Sequence, residues 1–407
     1  MVAQEEVLGS LSLRLPDGLI GSAEGPDSDS YITAVELHAA LKRARRGSTP
    51  GEDGLPYELY RAFASAFVPT LLHVFNSGFS MALGQLRLDP TIPDAQLQPF
   101  KALLGGVICL LPKPNQAQDE VAKHRPITLL GCDVKLVLMV MADRLQLPLD
   151  YLVDVTQSAY VLGRDISDNV RLHLGLRARL AELGLPAWLQ LSDIRKAYDR
   201  VVRSFLVATK LRMGFKADGH VLWGRLLLNG SSAKVRVNGH LSGSFPVDSN
   251  IPQGSHLSCM DWVITLLQAL FSYLNSLQHS GRIASFLLPS GRVASAVAAY
   301  ADDVSTVILD HTQLETVIKP AFLTLAAAGA AEQSVDKTEH LHLGGAVPPT
   351  MDATQHLTHL PTGYKLLPSE SEAPLRHLGV PMASSLHQRL SEAYGNMPAK
   401  ILSRLWP

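Results

Sequence analysis

Three aspartates form the pattern in this sequence that is best suited to chemistry. Asp302 and Asp303 are adjacent and lie between two apolar runs, and Asp193 follows a third apolar run at residues 188–191. In-line transfer of a nucleotidyl group is promoted by two metal ions that lie about 3.5–4 Å apart and hold the attacking and leaving oxygens. Mg²⁺ is a hard cation that takes one or two protein carboxylates together with waters and substrate phosphates. Adjacent acids on a tight turn, with another acid at a neighbouring strand end, would meet this requirement.

The aspartate pair does not decide the chemistry alone, because Asp is also a common turn and capping residue. The elements that position the acids therefore matter. Residues 294–299 and 304–309 flank residues 300–303 and predict a hairpin with the acids at or beside its turn. Residues 188–191 predict a strand that runs into Asp193. A shared metal site requires these strands to be neighbours in one sheet, which is a hypothesis at this stage.

The other patterns predict helices and strands that alternate irregularly, without a repeat. The dipeptide Asn238-Gly239 is typical of a tight hairpin turn, and the Asp and Ser residues at 27–30 could cap the first long helix. The predicted helices cover residues 32–46, 57–83, 128–147 and 167–183, and the other predicted strands cover 107–111, which is expected to be buried, 235–237 and 245–247.

The composition is that of a folded soluble enzyme. The chain has 407 residues, of which 46% are hydrophobic and 18% are charged, so a sizeable core is possible and disorder is not expected. The formal net charge is −1, from 36 basic and 37 acidic residues, which is unexpectedly balanced for a protein that would bind a polyanion. Basic residues cluster at residues 42–46, where a binding patch and a solvated helix face are both open interpretations.

Cysteine and histidine do not indicate a further metal site. Cys109, Cys132 and Cys259 are too few for a disulfide framework or a Cys-rich zinc knuckle, and they favour a reducing compartment. His340 and His342 are close in sequence, but no second Cys or His pair stands at zinc-ligand spacing. Structural or surface histidines are the favoured interpretation.

No membrane-spanning or targeting segment is predicted. Residues 262–281 are uncharged but contain Gln, Ser, Asn and His, so a buried helix is favoured over a membrane span. Residues 1–30 are acidic and lack a cationic start followed by an apolar run, which argues against secretion. An intracellular location is expected, with nucleus and cytoplasm both open.

Several segments resemble, in the same order, the blocks of reverse transcriptases from non-LTR (LINE-type) retrotransposons. Residues 191–201 are similar to the first catalytic block, residues 251–255 to the Pro-Gln-Gly block and residues 300–303 to the signature tetrad. The other matching segments are the Pro-Gly-x-Asp-Gly block at 49–58, the Pro-Lys element at 111–114, the Arg-Pro-Ile segment at 124–129, the stretch from Gln157 to Asn169, and the last two palm blocks at 336–338 and 377–380.

This resemblance implies an α+β right-hand polymerase with fingers, an antiparallel-sheet palm and a truncated helical thumb. The expected organisation is an acidic, flexible leader at residues 1–30, fingers and part of the palm at 31–186, the palm with the catalytic aspartates at 187–345, and the end of the palm with a partial thumb at 346–407. Residues after Val380 are too few for a complete thumb, and no endonuclease is visible. The chain is therefore interpreted as a fragment of a longer polyprotein or as a decaying gene copy.

The implied activity is RNA-directed DNA polymerisation (reverse transcription), in which deoxynucleotides are added to a primer 3′ end. Asp193, Asp302 and Asp303 would ligate two Mg²⁺ ions, for which Mn²⁺ can substitute, to activate the primer hydroxyl and stabilise the pyrophosphate leaving group. The implied partners are an RNA template with a DNA primer and deoxynucleoside triphosphates, without a membrane. The alternatives are a catalytically inactive, nucleic-acid-binding remnant and, within polymerases, a group II intron-type enzyme or an RNA-dependent RNA polymerase.

The resemblance also implies residues that shape the nucleotide pocket. Tyr198 resembles the aromatic that lies under the incoming sugar and rejects a 2′-hydroxyl, with a plain core aromatic as the alternative. Gln253 would offer donor and acceptor groups and Gly254 would permit close backbone approach, with a simple turn as the alternative. The family usually has two prolines after this block, whereas residues 255–259 read Ser-His-Leu-Ser-Cys. This departure puts the rigidity of the pocket in doubt.

The remaining implied residues would contact phosphates. Lys113 and Arg125 resemble the cations that clamp the triphosphate, with ordinary surface cations as the alternative. Lys337 resembles a residue that gives a proton to pyrophosphate, with a solvated lysine as the alternative. Gly163, Arg164 and Asn169 would touch template backbone, or would only hold a loop and cap a helix.

Overall fold

The computed structural model describes residues 1–16, 19, 30–94, 96–113 and 119–343, together with short strands at 365–366, 376–377 and 380–381. The chain divides into two compact units. Unit 1 comprises Met1–Ser10, Asp154–Ala197 and Leu267–Pro407, and unit 2 comprises Leu11–Val153 and Tyr198–Leu266. Each unit is therefore assembled from stretches that are distant in sequence. Most of the predicted partial thumb at 346–407 lies outside the described residues.

Helices and strands alternate along the chain, as the hydrophobic patterns predict. Short 3₁₀ helices cover Val121–Lys123 and Val335–Lys337, and π-helical turns cover Trp262–Leu267 and Leu314–Ile318. The α-helices are α1 (Val2–Gly9), α2 (Ala34–Arg43), α3 (Tyr57–Ala62), α4 (Ala64–Leu88), α5 (Cys132–Arg144), α6 (Gln146–Leu152), α7 (Ile166–Glu182), α8 (Arg203–Arg212), α9 (His220–Leu228), α10 (His256–Asp261), α11 (Gln268–His279) and α12 (Lys319–Gly329). The strands are β1 (Gly105–Pro112), β2 (His124–Leu129), β3 (Ala187–Asp193), β4 (Ser232–Val237), β5 (His240–Leu241), β6 (Phe245–Pro246), β7 (Val297–Tyr300), β8 (Asp303–Ile308), β9 (Glu339–Leu343), β10 (Lys365–Leu366), β11 (Arg376–His377) and β12 (Val380–Pro381).

Unit 1 contains a five-stranded sheet in the order β10-β9-β3-β8-β7. β3 lies antiparallel to both β8 and β9, and β7 lies antiparallel to β8. Leu176 and Leu180 of α7 belong to the same buried cluster as Leu189 of β3 and Val307 of β8. Because successive side chains of a strand point to opposite faces, this buried face sets the register of β3. The position of Asp193 at the end of β3 follows from that register.

The first helix, α1, packs within unit 1 and corrects part of the expected leader. Val7 is fully buried, and the Glu6 carboxylate accepts a hydrogen bond from the Tyr273 hydroxyl of α11. α1 also contacts α12. The expected flexible leader is therefore replaced by a packed helix at residues 2–9, because apolar and hydrogen-bonding side chains hold this segment in place. Most of residues 17–29 lie outside the described part of the chain.

Unit 2 contains a second sheet in the order β2-β1-β4-β5, with β6 also paired to β4. β1 lies antiparallel to β2 and parallel to β4. Asn238 and Gly239 have φ values of 50° and 83° and connect β4 to β5, as a two-residue hairpin turn requires. The predicted turn is confirmed, but the strand directly across it is β5, and the predicted partner strand at 245–247 pairs through Phe245–Pro246 farther back along β4. The predicted strand at 107–111 is also confirmed, although its second half is only partly buried.

An aromatic cluster lies in the core of unit 2. The Trp223 ring of α9 stacks on Phe79 of α4, with ring centroids 4.6 Å apart, and on Phe100, with centroids 6.1 Å apart. The Trp223 Nε1–H group donates to the Ser30 carbonyl at 2.6 Å, so the polar edge of this buried ring is satisfied. These contacts hold α4 and α9 to the segment that leads into α2.

The N-terminal cap of α2 differs from the predicted one. The Thr33 hydroxyl accepts from Glu36 N, and the Glu36 carboxylate accepts from Thr33 N, which is a capping box. The prediction that residues 27–30 cap this helix is wrong, because the reciprocal pair three residues farther along satisfies the free N–H groups.

Two other predicted helices have different bounds. The helix predicted at 57–83 is divided at Phe63, where φ is −118°, and its second part continues farther as α4. The helix predicted at 128–147 begins only at Cys132, because residues 128–129 pair with β1. Strand pairing outweighs helical periodicity at this position.

Two helical segments are long and apolar enough to cross a membrane by length and composition, Ala64–Leu88 and His256–His279. In the most apolar window of the second segment, 83% of the residues are buried within the protein. The buried helix predicted at 262–281 is confirmed. A core helix and a membrane span give the same compositional signal, so neither segment carries a conclusion about membranes.

Candidate active site

Asp193 and Asp303 face each other across two paired strands of unit 1. Asp193 is the last residue of β3, Asp303 is the first residue of β8, and the two are register partners. Tyr300 and Asp303 are also register partners, so Asp302 lies in the two-residue turn between β7 and β8. The hypothesis that these strands are neighbours in one sheet is confirmed. The strand pairing brings the three aspartates to one end of the sheet.

The turn that carries Asp302 depends on a left-handed backbone at Ala301. Ala301 has φ +58° and is 6% exposed. Two-residue hairpin turns favour positive φ, which costs a residue with a Cβ about 1 kcal/mol or more. Ile194 N donates to the Asp302 carbonyl at 3.3 Å, which ties the turn to the end of β3. The neighbouring strand therefore helps to hold a backbone conformation that alanine does not favour.

The three carboxyl groups influence one another electrostatically. Partial burial raises the pKa of Asp303 to about 6, and the negative charges of Asp302 and Asp193 add to this rise, while Lys337 opposes it. The Asp303 side chain reaches the surface, yet the surrounding protein still desolvates its carboxyl group. Acids that repel one another in a partly desolvated place favour a bound cation.

Lys337 contacts one of these aspartates directly. Its Nζ lies 2.6 Å from Asp193 Oδ2, and the Lys337 side chain is 63% exposed. The 3₁₀ helix Val335–Lys337 positions the lysine, and Ser334 N donates to the Asp193 carbonyl at 2.8 Å. Arg195 N donates to the Glu332 carbonyl at 2.7 Å in the same connection. The structure therefore brings together four of the residues that the sequence assigned to the site.

The donor chemistry of the trio fits Mg²⁺, although the side chains do not form a ready ligand set. Within the part of the chain that the structure describes, no three Asp, Glu, His or Cys side chains are arranged to hold one ion. The Lys337 ammonium lies against Asp193 and partly supplies the missing positive charge. Carboxylate oxygens are the ligands that Mg²⁺ prefers, and the pKa of Asp303 is raised mainly by burial and further by the charges of Asp302 and Asp193, which a bound cation would offset. Asp193, Asp302 and Asp303 are thus the residues that would hold the metal.

Gln253 and Gly254 lie in unit 2, and one side-chain and one backbone hydrogen bond of Gln253 join this segment to two other blocks. Gln253 Nε2 donates to Asp199 Oδ1 at 3.0 Å, and the Gln253 carbonyl accepts from Thr128 N at 3.0 Å. Gly254 has φ +105°, and a Cβ there would make only ordinary contacts at 3.5 Å with Ile127 and Thr128. The backbone conformation therefore favours glycine at this position, and the close approach of a nucleotide to Gly254 stays a prediction.

Tyr198 also lies in unit 2, next to the same segment. Its carbonyl accepts from Ile251 N at 3.0 Å, and its ring is tilted against Trp262 with centroids 5.8 Å apart. The Tyr198 residue is half-buried. One side of the ring is thus supported by the core, and part of it stays accessible.

Lys113 and Arg125 lie on the β1–β2 hairpin of unit 2. Arg125 is exposed and is the register partner of Leu111. Lys113 follows β1 by one residue, and its N–H donates to the Lys123 carbonyl at 3.0 Å. The hairpin therefore places both cations near its end. Pro114, which completes the predicted Pro-Lys element, lies outside the described residues.

Asn169 and Arg164 of unit 1 hold the loop before α7. Asn169 is 1% exposed, and its Nδ2 donates to the carbonyl of Ala299 in β7 at 3.0 Å. Arg164 Nη1 donates to the carbonyls of Asp154 and Gln157 at 2.7 and 2.8 Å. Asp165 caps α7, so the alternative in which Asn169 caps a helix is wrong. The loop-holding alternative accounts for both side chains, and Asn169 also supports the hairpin that carries the aspartates.

Residues 111–382 match the model of a family described as reverse transcriptase (RNA-dependent DNA polymerase). The chain belongs to this reverse transcriptase family. It is also 27% identical over 379 residues to the "Transposon TX1 uncharacterized 149 kDa protein" of Xenopus laevis, across 93% of this chain and 26% of that protein. The chain thus spans about a quarter of the length of this relative. The resemblance to reverse transcriptases of non-LTR (LINE-type) retrotransposons is confirmed.

The reverse transcriptase match includes every residue that the sequence assigned to the site. Members of this family use divalent metal ions, a nucleic-acid template and deoxynucleoside triphosphates. The assigned residues within the matched range are Lys113, Arg125, Asp193, Tyr198, Gln253, Gly254, Asp302, Asp303 and Lys337.

The structure shows two supporting residues that the sequence did not assign to the candidate site. Asp199 accepts from the Gln253 amide, and Asn169 holds β7. Asp199 lies in the first catalytic block at 191–201, so its position in that block was the available signal. For Asn169 the sequence left a structural role open but gave no indication of its partner strand.

Proposed function

We propose that this chain is an RNA-directed DNA polymerase that extends a primer 3′ end with deoxynucleotides by two-metal-ion nucleotidyl transfer. The observation that carries the proposal is the register pairing of Asp193 with Asp303, with Asp302 in the adjoining turn, in a chain of the reverse transcriptase family. On this proposal, residues 31–186 supply the fingers and part of the palm, residues 187–345 the catalytic palm, and residues 346–407 the end of the palm with a partial thumb.

The aspartates of unit 1 would hold the metal ions. Asp193, Asp302 and Asp303 would hold two divalent ions, Mg²⁺ or Mn²⁺, whose charge would favour attack by the primer hydroxyl and departure of pyrophosphate. Lys337 is proposed to give a proton to the leaving pyrophosphate. Its ammonium group lies against Asp193, which supports a place beside the reacting phosphates.

The residues of unit 2 would hold the nucleotide. Lys113 and Arg125 are proposed to bind the triphosphate, because cations near the end of one hairpin suit a polyanion. Gln253 and Gly254 are proposed to line the pocket on a turn that Asp199 and Thr128 hold in place. Tyr198 is proposed to reject a 2′-hydroxyl by steric exclusion, since its ring is supported on one side by Trp262.

Primer extension on poly(rA)/oligo(dT) with dTTP and Mg²⁺ tests the proposal. The double variant Asp302→Asn/Asp303→Asn should lose incorporation by about 100-fold or more, because loss of metal charge stabilisation is worth several kcal/mol and each 1.4 kcal/mol is about tenfold. Asp310→Asn is the matched control, since Asp310 is an exposed acid that follows β8 and only caps a turn. It should retain wild-type incorporation.

Two outcomes would overturn the proposal. Wild-type incorporation no greater than that of the double variant would sink the enzymatic claim, and preferential use of ribonucleotides would indicate an RNA polymerase. Tyr198→Ala should increase ribonucleotide incorporation if its ring excludes the 2′-hydroxyl.

A catalytically inactive, nucleic-acid-binding remnant is the second candidate. The balanced net charge of −1 favours it, because binding of a polyanion depends on Lys and Arg. Binding of template-primer by the wild-type chain without incorporation would select this candidate.

A further inference from the structure

A pocket of about 500 Å³ in unit 2 is lined mainly by residues that the sequence did not assign to the site, and Gly254 is the one assigned residue among its described lining residues. It is formed by the segment after α2, by the first turns of α5 and by residues around the Pro-Gln-Gly turn. Four cations line it, and its described lining residues include no carboxylate. These cations are Arg43, Arg45, Arg46 and Lys135, and the pocket is called the basic pocket below.

The cations of the basic pocket differ in how they are paired. Arg43 forms an ion pair with Asp143. Lys135 Nζ donates to the Thr49 carbonyl at 2.9 Å and lies 5.2 Å from the centre of the Tyr57 ring. These contacts hold the Lys135 ammonium at the wall of the pocket. Burial raises the pKa of the nearby Asp133 carboxyl group, and the charge of Lys135 opposes this rise only weakly.

Arg45 and Arg46 are exposed, and neither has an ion-pair partner within the described ranges. Arg46 acts electrostatically on Glu58, but the pKa of Glu58 is lowered mainly by a backbone hydrogen bond from Gly47 and only weakly by Arg46. Because the Glu58 carboxylate accepts a hydrogen bond from the loop backbone, the Arg45 and Arg46 guanidinium groups keep most of their capacity to bind an anion.

The loop that carries these arginines is not a solvated helix face. α2 ends at Arg43, and Ala44 has non-helical backbone angles of φ −52° and ψ 128°. Gly47 has φ +69°, its N–H donates to Glu58 Oε1 at 2.9 Å, and the Ser48 hydroxyl donates to the Arg45 carbonyl at 2.8 Å. The chain thus turns sharply after the helix and presents Arg45 and Arg46 from a hydrogen-bonded loop. The helix-face interpretation of residues 42–46 is excluded for these two residues.

The other wall of the basic pocket adjoins the Pro-Gln-Gly segment. Gly254 and His256 line it, together with Leu129 at the end of β2. We propose that the basic pocket binds phosphodiester groups of a single-stranded nucleic acid, an inference that rests on the proposed polymerase function. A chain with a net charge of −1 can bind a polyanion only where its cations are concentrated, and this pocket is such a place. Guanidinium groups suit phosphate because they can donate two parallel hydrogen bonds.

The salt dependence of binding tests this inference without catalysis. Fluorescence anisotropy of a labelled oligo(rU) is measured with the full chain in EDTA, from about 50 to about 200 mM KCl. Each neutralised phosphate of a single strand contributes roughly −0.7 to the slope of log K against log[salt]. Arg45→Gln/Arg46→Gln should therefore reduce the magnitude of the slope by about 1.4, since two contacts are lost.

Arg87→Gln/Arg212→Gln is the matched control. Arg87 and Arg212 are exposed residues of unit 2, and both double variants remove two positive charges and change the formal net charge from −1 to −3. The control should keep the wild-type slope. An unchanged slope in Arg45→Gln/Arg46→Gln, or an equal loss in the control, would overturn the inference.

A second experiment distinguishes two ligands that could supply the phosphate groups in the basic pocket, a nucleic-acid strand and a free nucleotide. Binding of inorganic tripolyphosphate is measured by calorimetry and should be the same for wild type and Arg45→Gln/Arg46→Gln. If Arg45→Gln/Arg46→Gln binds tripolyphosphate more weakly but keeps the wild-type oligonucleotide slope, the pocket binds a triphosphate, and the inference that it binds a nucleic-acid strand is overturned. Both experiments are done without primer and without metal, so they do not depend on catalysis. If the wild-type chain fails to polymerise but the salt slopes are as expected, the proposed function is refuted and binding of a strand in the basic pocket is supported.

Discussion

Replacement of Lys210 by methionine is expected to lower the free energy of unfolding by about 3–5 kcal/mol, because Asp261 would stay buried without a counter-charge. Lys210 Nζ lies 2.5 Å from Asp261 Oδ1, and each side chain is 1% exposed. Lys210 belongs to α8 and Asp261 ends α10, so the ion pair joins two helices of unit 2.

The magnitude follows from two opposing contributions to the free energy. At an effective dielectric constant of about 20, unit charges about 3 Å apart attract by roughly 5–6 kcal/mol. Removal of each ion from water costs several kcal/mol, so the intact pair contributes little net stability. The single variant loses the attraction but keeps the desolvation of Asp261, whose pKa is already raised by burial against the effect of Lys210.

The variant should also have a characteristic pH dependence. Without Lys210 the folded-state pKa of Asp261 rises further above its unfolded value. At pH values between the unfolded-state and the folded-state pKa, folding is then accompanied by the uptake of a proton. Stability is then greatest below the unfolded pKa of about 4 and is lost as the pH rises through the folded pKa. Relative to wild type, Lys210→Met should therefore be less destabilised at about pH 5 than at about pH 7.5.

Urea unfolding, followed by tryptophan fluorescence and circular dichroism, measures these effects. Trp262 is buried and follows Asp261 directly, so its fluorescence reports on this region. Lys210→Met/Asp261→Leu should recover most of the lost stability, because apolar partners avoid the desolvation cost. Lys319→Met is the control: its ion pair with Glu315 is half-exposed, with side chains 40% and 38% exposed, and its removal should cost less than about 0.5 kcal/mol. The reasoning is refuted if Lys210→Met costs no more than this control, or if the double variant is as unstable as the sum of the single variants.

Two further results are expected from urea unfolding. At Gly51 an added Cβ would lie 2.7 Å from the backbone nitrogen of Gly131, so Gly51→Ala should destabilise the fold by about 1–3 kcal/mol. Gly84→Ala, whose Cβ would meet nothing within 4 Å on α4, should stabilise it by up to about 1 kcal/mol, and shifts of the same sign in both variants would contradict the packing argument. Burial lowers the pKa of His173 to about 4, so the unfolded chain binds its proton first as the pH falls. Stability should fall by up to about 3 kcal/mol between about pH 6.5 and about pH 4, and a pH series in which His173→Gln keeps the same loss would contradict this assignment.

The elements that carry the aspartates could be predicted from local sequence. Alternation of apolar residues and turn formers indicated the hairpin around 300–303 and the strand before Asp193, and both are present with nearly the predicted bounds. Such patterns are informative because a strand or hairpin depends on its own side chains and on the conformations that its turn residues allow. Where tertiary pairing competes with periodicity, as at residues 128–129, the local prediction fails.

The contacts between distant side chains could not be predicted in this way. Lys337 and Asp193 are 144 positions apart, and their ion pair exists because the chain after α12 returns alongside the end of β3. Asp199 and Gln253 are 54 positions apart and meet through a turn that also contacts β2. Neither pair has a spacing that local periodicity can encode.

The sequence by itself determined which elements carry the three aspartates that are proposed to hold metal ions and, through the order of its blocks, membership of the reverse transcriptase family. Only the tertiary structure decided that Asp193 lies opposite Asp303 and that Lys337 forms an ion pair with Asp193. It also decided that Arg45 and Arg46 lie beyond the end of α2 and line a pocket. The physical reason is that local conformation depends on residues a few positions apart, whereas sheet register and loop closure depend on burial and hydrogen bonding across a whole unit.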